Sequence, residues 1–118
     1  MIYEVVRSSY YERCLKFYTK RNMKEELDKI DLAVQAIATQ KFTDKMNPHP
    51  IDWKKGKSRK SIKVIDVHAD YDLVVLYTKK GNIATLEAVG THRDLGIKES
   101  FNSDDTVDKQ LVELAECI

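Results

Sequence analysis

Residues 61–89 read SIKVIDVHADYDLVVLYTKKGNIATLEAV, three runs rich in β-branched side chains, SIKVIDV (61–67), DLVVLYT (72–78) and NIATLEAV (82–89), separated by HADY and KKG. Those separators are hairpin length, whereas a parallel connection needs a dozen residues or more. The three runs therefore form an antiparallel meander. The middle run is apolar at both parities, so it belongs at the centre of a sheet, covered by helices on at least one side.

Upstream, IYEVV (2–6) is a short strand. Ser9 with Glu12 has the spacing of a capping box, and Tyr10, Cys14 and Phe17, with Tyr11, Leu15 and Tyr18, recur at helical intervals. Asn22 with Glu25 offers a second cap, and Leu27, Ile30, Val34 and Ile37 mark an amphipathic helix over about 23–41. Residues 42–61, with Pro48 and Pro50 flanking His49, predict a loop or short-turn region. After Gly96, Ser103-Asp104-Asp105 is a helix start, and Val107, Leu111, Leu114 and Ile118 form an apolar stripe. The expectation is an α+β fold of order β-α-α-β-β-β: a small antiparallel sheet with a helical hairpin packed on it. Residues 1–96 form this domain, and residues 97–118 an acidic extension whose extra C-terminal helix packs on it or restrains it.

At 118 residues the chain suits one core. No apolar run approaches the roughly 20 residues of a membrane span, and the N-terminus has no secretory pattern; a cytoplasmic protein is expected. Cys14 and Cys117 follow no CxxC or Cys/His spacing, so reduced core thiols are expected, with no metal and no organic cofactor. The net charge of +1 hides an asymmetry: residues 1–96 hold 18 Lys/Arg against 13 Asp/Glu, residues 97–118 hold 2 against 6. Within the body, KKGKSRKSIK (54–63) carries six positive charges and no acid, either a solvated face or a phosphate-binding surface.

The topology gathers scattered polar residues. His68 and Asp72 bracket the first meander hairpin, and His92 follows the last strand, at the same sheet edge because antiparallel strands reverse. A loop folded back over that edge adds His49 and the lysines. Imidazoles beside a carboxylate among cations suit metal-free RNA cleavage: one group takes the 2′-hydroxyl proton, another protonates the leaving 5′-oxygen, and cations stabilise the phosphorane. Histidine suits both transfers because its ordinary pKa, about 6.5, lies near working pH.

The stretches PHPI (48–51) and VHADYDLVVLYTKKGNIATLEAVGTHRDL (67–95) resemble the YafQ branch of the RelE/ParE superfamily, toxins of bacterial toxin–antitoxin modules. His49 matches the histidine of that branch's first motif, His68 and Asp72 its H-x-x-x-D pair, and His92 the histidine of G-T-H. The resemblance implies a ribosome-dependent mRNA endonuclease that leaves a 2′,3′-cyclic phosphate, and a cognate antitoxin that neutralises it. It implies His92 as general acid and Asp72 or His68 as base or orienting partner. His49, Lys54, Lys55, Lys57, Arg59, Lys60 and Arg93 are the expected phosphate contacts. Three positions depart from the pattern: Gly96 replaces a terminal aromatic, Leu73 a tryptophan and Glu87 an arginine. The competing reading is a non-catalytic member of the superfamily that occupies a target such as gyrase or the ribosome, or a degenerate toxin; the histidine set favours RNA chemistry.

Overall fold

The computed structural model describes residues 3–56, 58 and 60–97. The expected C-terminal helix, with Cys117, and the side chains of Lys57 and Arg59 lie outside the described residues. The elements are β1 (Glu4–Arg7), α1 (Ser9–Lys20), α2 (Lys24–Thr39), a 3-10 turn (Asp44–Met46), β2 (His49–Lys54), β3 (Ser61–His68), β4 (Leu73–Lys80) and β5 (Ile83–Thr91). The sheet order is β1-β5-β4-β3-β2, so the strand that is apolar on both faces is the central one.

Two features correct the expectation. The sheet is five-stranded and mixed, because β1 pairs parallel to β5 while the other pairs are antiparallel. Residues 49–54, expected in a loop, form an edge strand. Edge position explains how Pro50 is tolerated, since an edge strand leaves one side of its backbone unpaired.

The N-cap of α1 is Ser8, one residue before the expected Ser9: its Oγ accepts from Tyr11 N at 3.0 Å. Ser8 also ties α1 to the sheet. Its hydroxyl donates to the Glu87 carbonyl at 3.1 Å, and its N–H donates to the Leu86 carbonyl at 3.0 Å.

Alternation along the strands divides the core in two. Val67, Leu73, Val75 and Tyr77 pack with Tyr11, Tyr18, Ile30, Ala33 and Ile37 of the helices. On the other face Trp53, Val64, Val74, Leu76, Ala88 and Leu95 form a smaller cluster, edged by Tyr10, Cys14, Ile51 and Ile97. Cys14, the free cysteine among the described residues, is half-buried, and burial pushes its thiol pKa up, as suits an unreactive core thiol.

Candidate active site

The site is a consequence of register. On β3, Val64, Asp66 and His68 share one face because side chains alternate with period two. On β2, His49 pairs directly with Asp66, and Ile51 with Val64. Three polar side chains are thus placed by backbone pairing on the sheet face away from the main helix-packed core. The hairpin after β3 turns through Ala69 and Asp70, whose N–H groups both donate to the Leu73 carbonyl, at 2.7 and 3.0 Å. Lys29 of α2 meets Asp70 at 2.7 Å, and that ion pair holds the Asp70 carboxyl below its usual range.

His92 arrives by a different device. The β4–β5 ladder shifts register: Tyr77 pairs with Leu86, but Leu76 pairs with Ala88, so Glu87 is the extra residue of a bulge. A bulge reverses the parity of the residues beyond it. Leu86 packs on the helical side and Ala88 on the other; by continuation, Gly90 and His92, just past the strand, share the parity of Ala88. Glu87, which replaces the expected arginine, accepts from Thr78 Oγ1 through its carboxylate at 2.9 Å. It serves the bulge rather than a phosphate.

All three histidines and both flanking carboxylates converge. The His49 and His68 rings lie 5.9 Å apart, and those of His68 and His92 5.3 Å apart. Asp72 Oδ1 accepts from both His92 Nδ1, at 2.7 Å, and His92 N, at 3.2 Å. That double contact fixes the ring and places its proton on Nδ1, because a carboxylate only accepts. His92 Nε2 faces Asp66 Oδ2 at 3.5 Å, and His68 Nε2 faces Asp66 Oδ1 at 3.6 Å. Asp66 is fully buried, and neither of its oxygens has a hydrogen-bond partner among the described residues. Exposure separates the imidazoles: His92 is 2% exposed, whereas His49 and His68 are only partly covered.

Asp66 is the residue that sequence reading missed. In SIKVIDV an acid between apolar residues looks like an outward position. The available signal was that it shares parity with Val64 and His68 next to a strand that is apolar on both faces.

The expected phosphate contacts divide. Arg93 is exposed and follows His92 directly in the turn. Lys54 lies five residues along β2 from His49, roughly 17 Å at strand rise, and at odd spacing it points from the opposite face. Lys55 stands 5.6 Å from the Tyr10 ring, which packs edge-on against Trp53, and exposed Lys60 sits at the same distal end of the hairpin. The expectation that these lysines would fold over the histidines is not met, because β2 is extended and carries them away.

The two aromatic departures also have a local cause. Gly96 has φ +68°, a left-handed turn that disfavours side chains, and its neighbour Leu95 accepts from Trp53 Nε1 at 2.9 Å. Leu73 is 5% exposed and packs on the helical side. Tyr71, two residues before Leu73 and next to Asp72, is 77% exposed.

No family model and no curated protein matches this sequence. Solved structures do. A chain of the Escherichia coli DinJ-YafQ toxin-antitoxin complex superposes with a TM-score of 0.62 at 18% identity, covering 80% of this chain and 98% of that one. YafQ from E. coli strain BL21(DE3) gives 0.61 at 16% identity, with 79% and 97% covered. The fold is that of the YafQ toxins. A metal-bound toxin from Helicobacter pylori shares it, with a TM-score of 0.62 at 24% identity, 80% of this chain and 99% of the other being covered. The shared architecture covers about four-fifths of this chain. No helix among the described residues is long and apolar enough to cross a membrane.

Proposed function

We propose that this chain is the toxin of a toxin–antitoxin pair and cuts mRNA on the ribosome by side-chain acid–base chemistry. The observation that carries the reading is the convergence of His49, His68 and His92 on Asp66 and Asp72, from three separate parts of the chain. A YafQ-type fold, found in a complex with its antitoxin, supports both the toxin role and a protein antitoxin as partner.

Differences in burial support one division of roles. One partly exposed imidazole, His49 or His68, takes the 2′-hydroxyl proton as the oxygen attacks phosphorus. The other gives a proton to the departing 5′-oxygen, leaving a 2′,3′-cyclic phosphate. His92, held between two carboxylates and almost fully covered, orients Asp66 and the β3–β4 hairpin. This differs from the resemblance, which makes His92 the proton donor. Arg93 faces the phosphate from the rim, and Lys55 and Lys60 hold RNA further along. Tyr71 offers the exposed ring that Leu73 and Gly96 do not, and its truncation should weaken RNA binding by the roughly 1–3 kcal/mol of one base stack.

The test is cleavage of translated mRNA by His49→Gln, His68→Gln and His92→Gln proteins, with melting temperature measured alongside. His49→Gln and His68→Gln should each lose about 10²–10⁴-fold in rate with melting unchanged, and His92→Gln should lower melting and cost less activity. Full loss confined to His92→Gln would return the donor role to His92. Undiminished growth arrest from all three would instead favour a toxin that acts by occupancy.

A further inference from the structure

The fold releases the chain beside the histidine face. Ile97 N donates to the His92 carbonyl at 2.8 Å, and Ile97 packs against the cluster of Trp53, Val64 and Leu95. The residues that follow therefore start from the turn that carries His92 and Arg93. The solved toxins are matched almost end to end by about four-fifths of this chain, which leaves about a fifth of it additional to them. Residues 98–118, outside the described residues, are a stretch of about that size. Their sequence holds two lysines against six acids, with Val107, Leu111, Leu114 and Ile118 at helical intervals. The surface beside Ile97 has the complementary character. Ile51, Trp53 and Ile62 share a face with His49, because Ile62 is the cross-strand partner of Trp53 and side chains alternate along β2. This strip is not closed: Trp53 is 2% exposed but Ile62 41%, and Ile51 is partly buried. Its rim is basic. Arg13 and Lys55 stand 5.7 and 5.6 Å from the Tyr10 ring, which packs edge-on against Trp53, and Lys60 is exposed at the same end of the hairpin. No ion pair among the described residues engages Arg13, Lys55 or Lys60.

We propose that residues 98–118 dock in cis on the Ile51–Trp53–Ile62 strip and shield the neighbouring cations from RNA. The apolar stripe of the tail lies on the isoleucines, and Asp104, Asp105 and Asp108, which border the stripe, meet Arg13, Lys55 and Lys60. The dimensions agree. As a helix, residues 104–118 span about 22 Å, against roughly 17 Å of β2 from His49 to Lys54. Residues 98–103 reach up to about 20 Å, enough to turn back from Ile97 onto the adjoining strip. A short tether also holds the tail at an effective concentration of about a millimolar, so a contact too weak to form between separate molecules still forms within one. The shielding half rests on the reading above that Lys55 and Lys60 hold RNA. A tail seated about nine-tenths of the time lowers apparent RNA affinity about tenfold.

The test uses the full chain with Cys14→Ala, carrying a nitroxide on Cys117, its remaining cysteine, with circular dichroism confirming that the labelled chain is folded. The label should broaden the amide resonances of Ile51, Lys55 and Ile62 more than those of Phe17 and Leu32, which are exposed on the helices, and equally at high and low protein concentration. Combining Asp104→Asn, Asp105→Asn and Asp108→Asn should remove the broadening, as should raised salt. That triple variant should bind a short single-stranded RNA about tenfold more tightly than the wild-type chain. Leu111→Ser with Leu114→Ser, which leaves the net charge unchanged, should give the same gain. Absent or uniform broadening, or broadening centred on the helices, overturns the docking. Broadening that disappears on dilution assigns the tail to a second copy and overturns docking in cis. Docking with RNA affinity unchanged, or a gain confined to the charge variant, overturns the shielding. Docking and shielding with no cleavage of translated mRNA by any of these chains supports the tail's role and counts against the nuclease reading.

Discussion

The two faces of the sheet are built from neighbouring residues and hold opposite kinds of side chain. Val67, Leu73, Val75 and Tyr77 turn to the helices and are buried among Tyr11, Ile30 and Ile37. Asp66 and His68, either side of Val67 on β3, turn the other way, onto the face that carries the smaller apolar cluster of Val64, Leu76 and Trp53. A step of one residue separates apolar packing from a cluster of ionisable groups. The helical face is closed and satisfied, while the histidine face holds a buried carboxylate that lowers stability and that an apolar core would have excluded.

If the division is real, the faces should fail differently. The largest effects should be a dissociation of activity from stability: His68→Gln loses RNA cleavage by two to four orders of magnitude with no change in chemical denaturation, whereas Leu86→Ala, on the helical face, loses roughly 2–5 kcal/mol. Matching stability losses in the two variants would erase the distinction. Next, Asp66→Leu should stabilise the fold by about 1–3 kcal/mol, since it removes an unsatisfied buried carboxylate, while abolishing cleavage. A destabilised Asp66→Leu protein would show that the carboxylate is well compensated and that the faces are less different than their composition suggests. The smallest effect concerns the bulge that turns β5 from one face to the other. Ser8→Ala removes the cap of α1 and the hydroxyl bond to Glu87, and should cost roughly 1–2 kcal/mol, with a cleavage loss beyond that of other variants equally destabilised. Equal activity at equal stability would mean that the bulge keeps His92 in place without Ser8.

Legibility in the sequence tracks the range of the interactions. The meander, the central position of β4 and the helical hairpin come from local periodicity and short connections, and they stand close to where the residues place them. The parallel β1–β5 pairing links residues about 80 apart, which no local pattern encodes. Edge strand β2 was hidden by Pro48 and Pro50, which mark turns everywhere except on an unpaired edge. For the site, hairpin geometry was enough to bring His68, Asp72 and His92 together, and the family pattern drew attention to His49. Asp66 stayed concealed because its burial depends on what covers the sheet, and the role of Glu87 because a bulge is set by cross-strand register.

The central claim is that the histidine face cuts RNA, and product chemistry on a translating ribosome tests it most directly. Purified chain added to a translation system should generate mRNA fragments whose 3′ ends carry 2′,3′-cyclic phosphate, with the cuts disappearing in His49→Gln and His68→Gln proteins of unchanged stability. Intact message beside arrested translation, or cuts that persist undiminished in those variants, would contradict it.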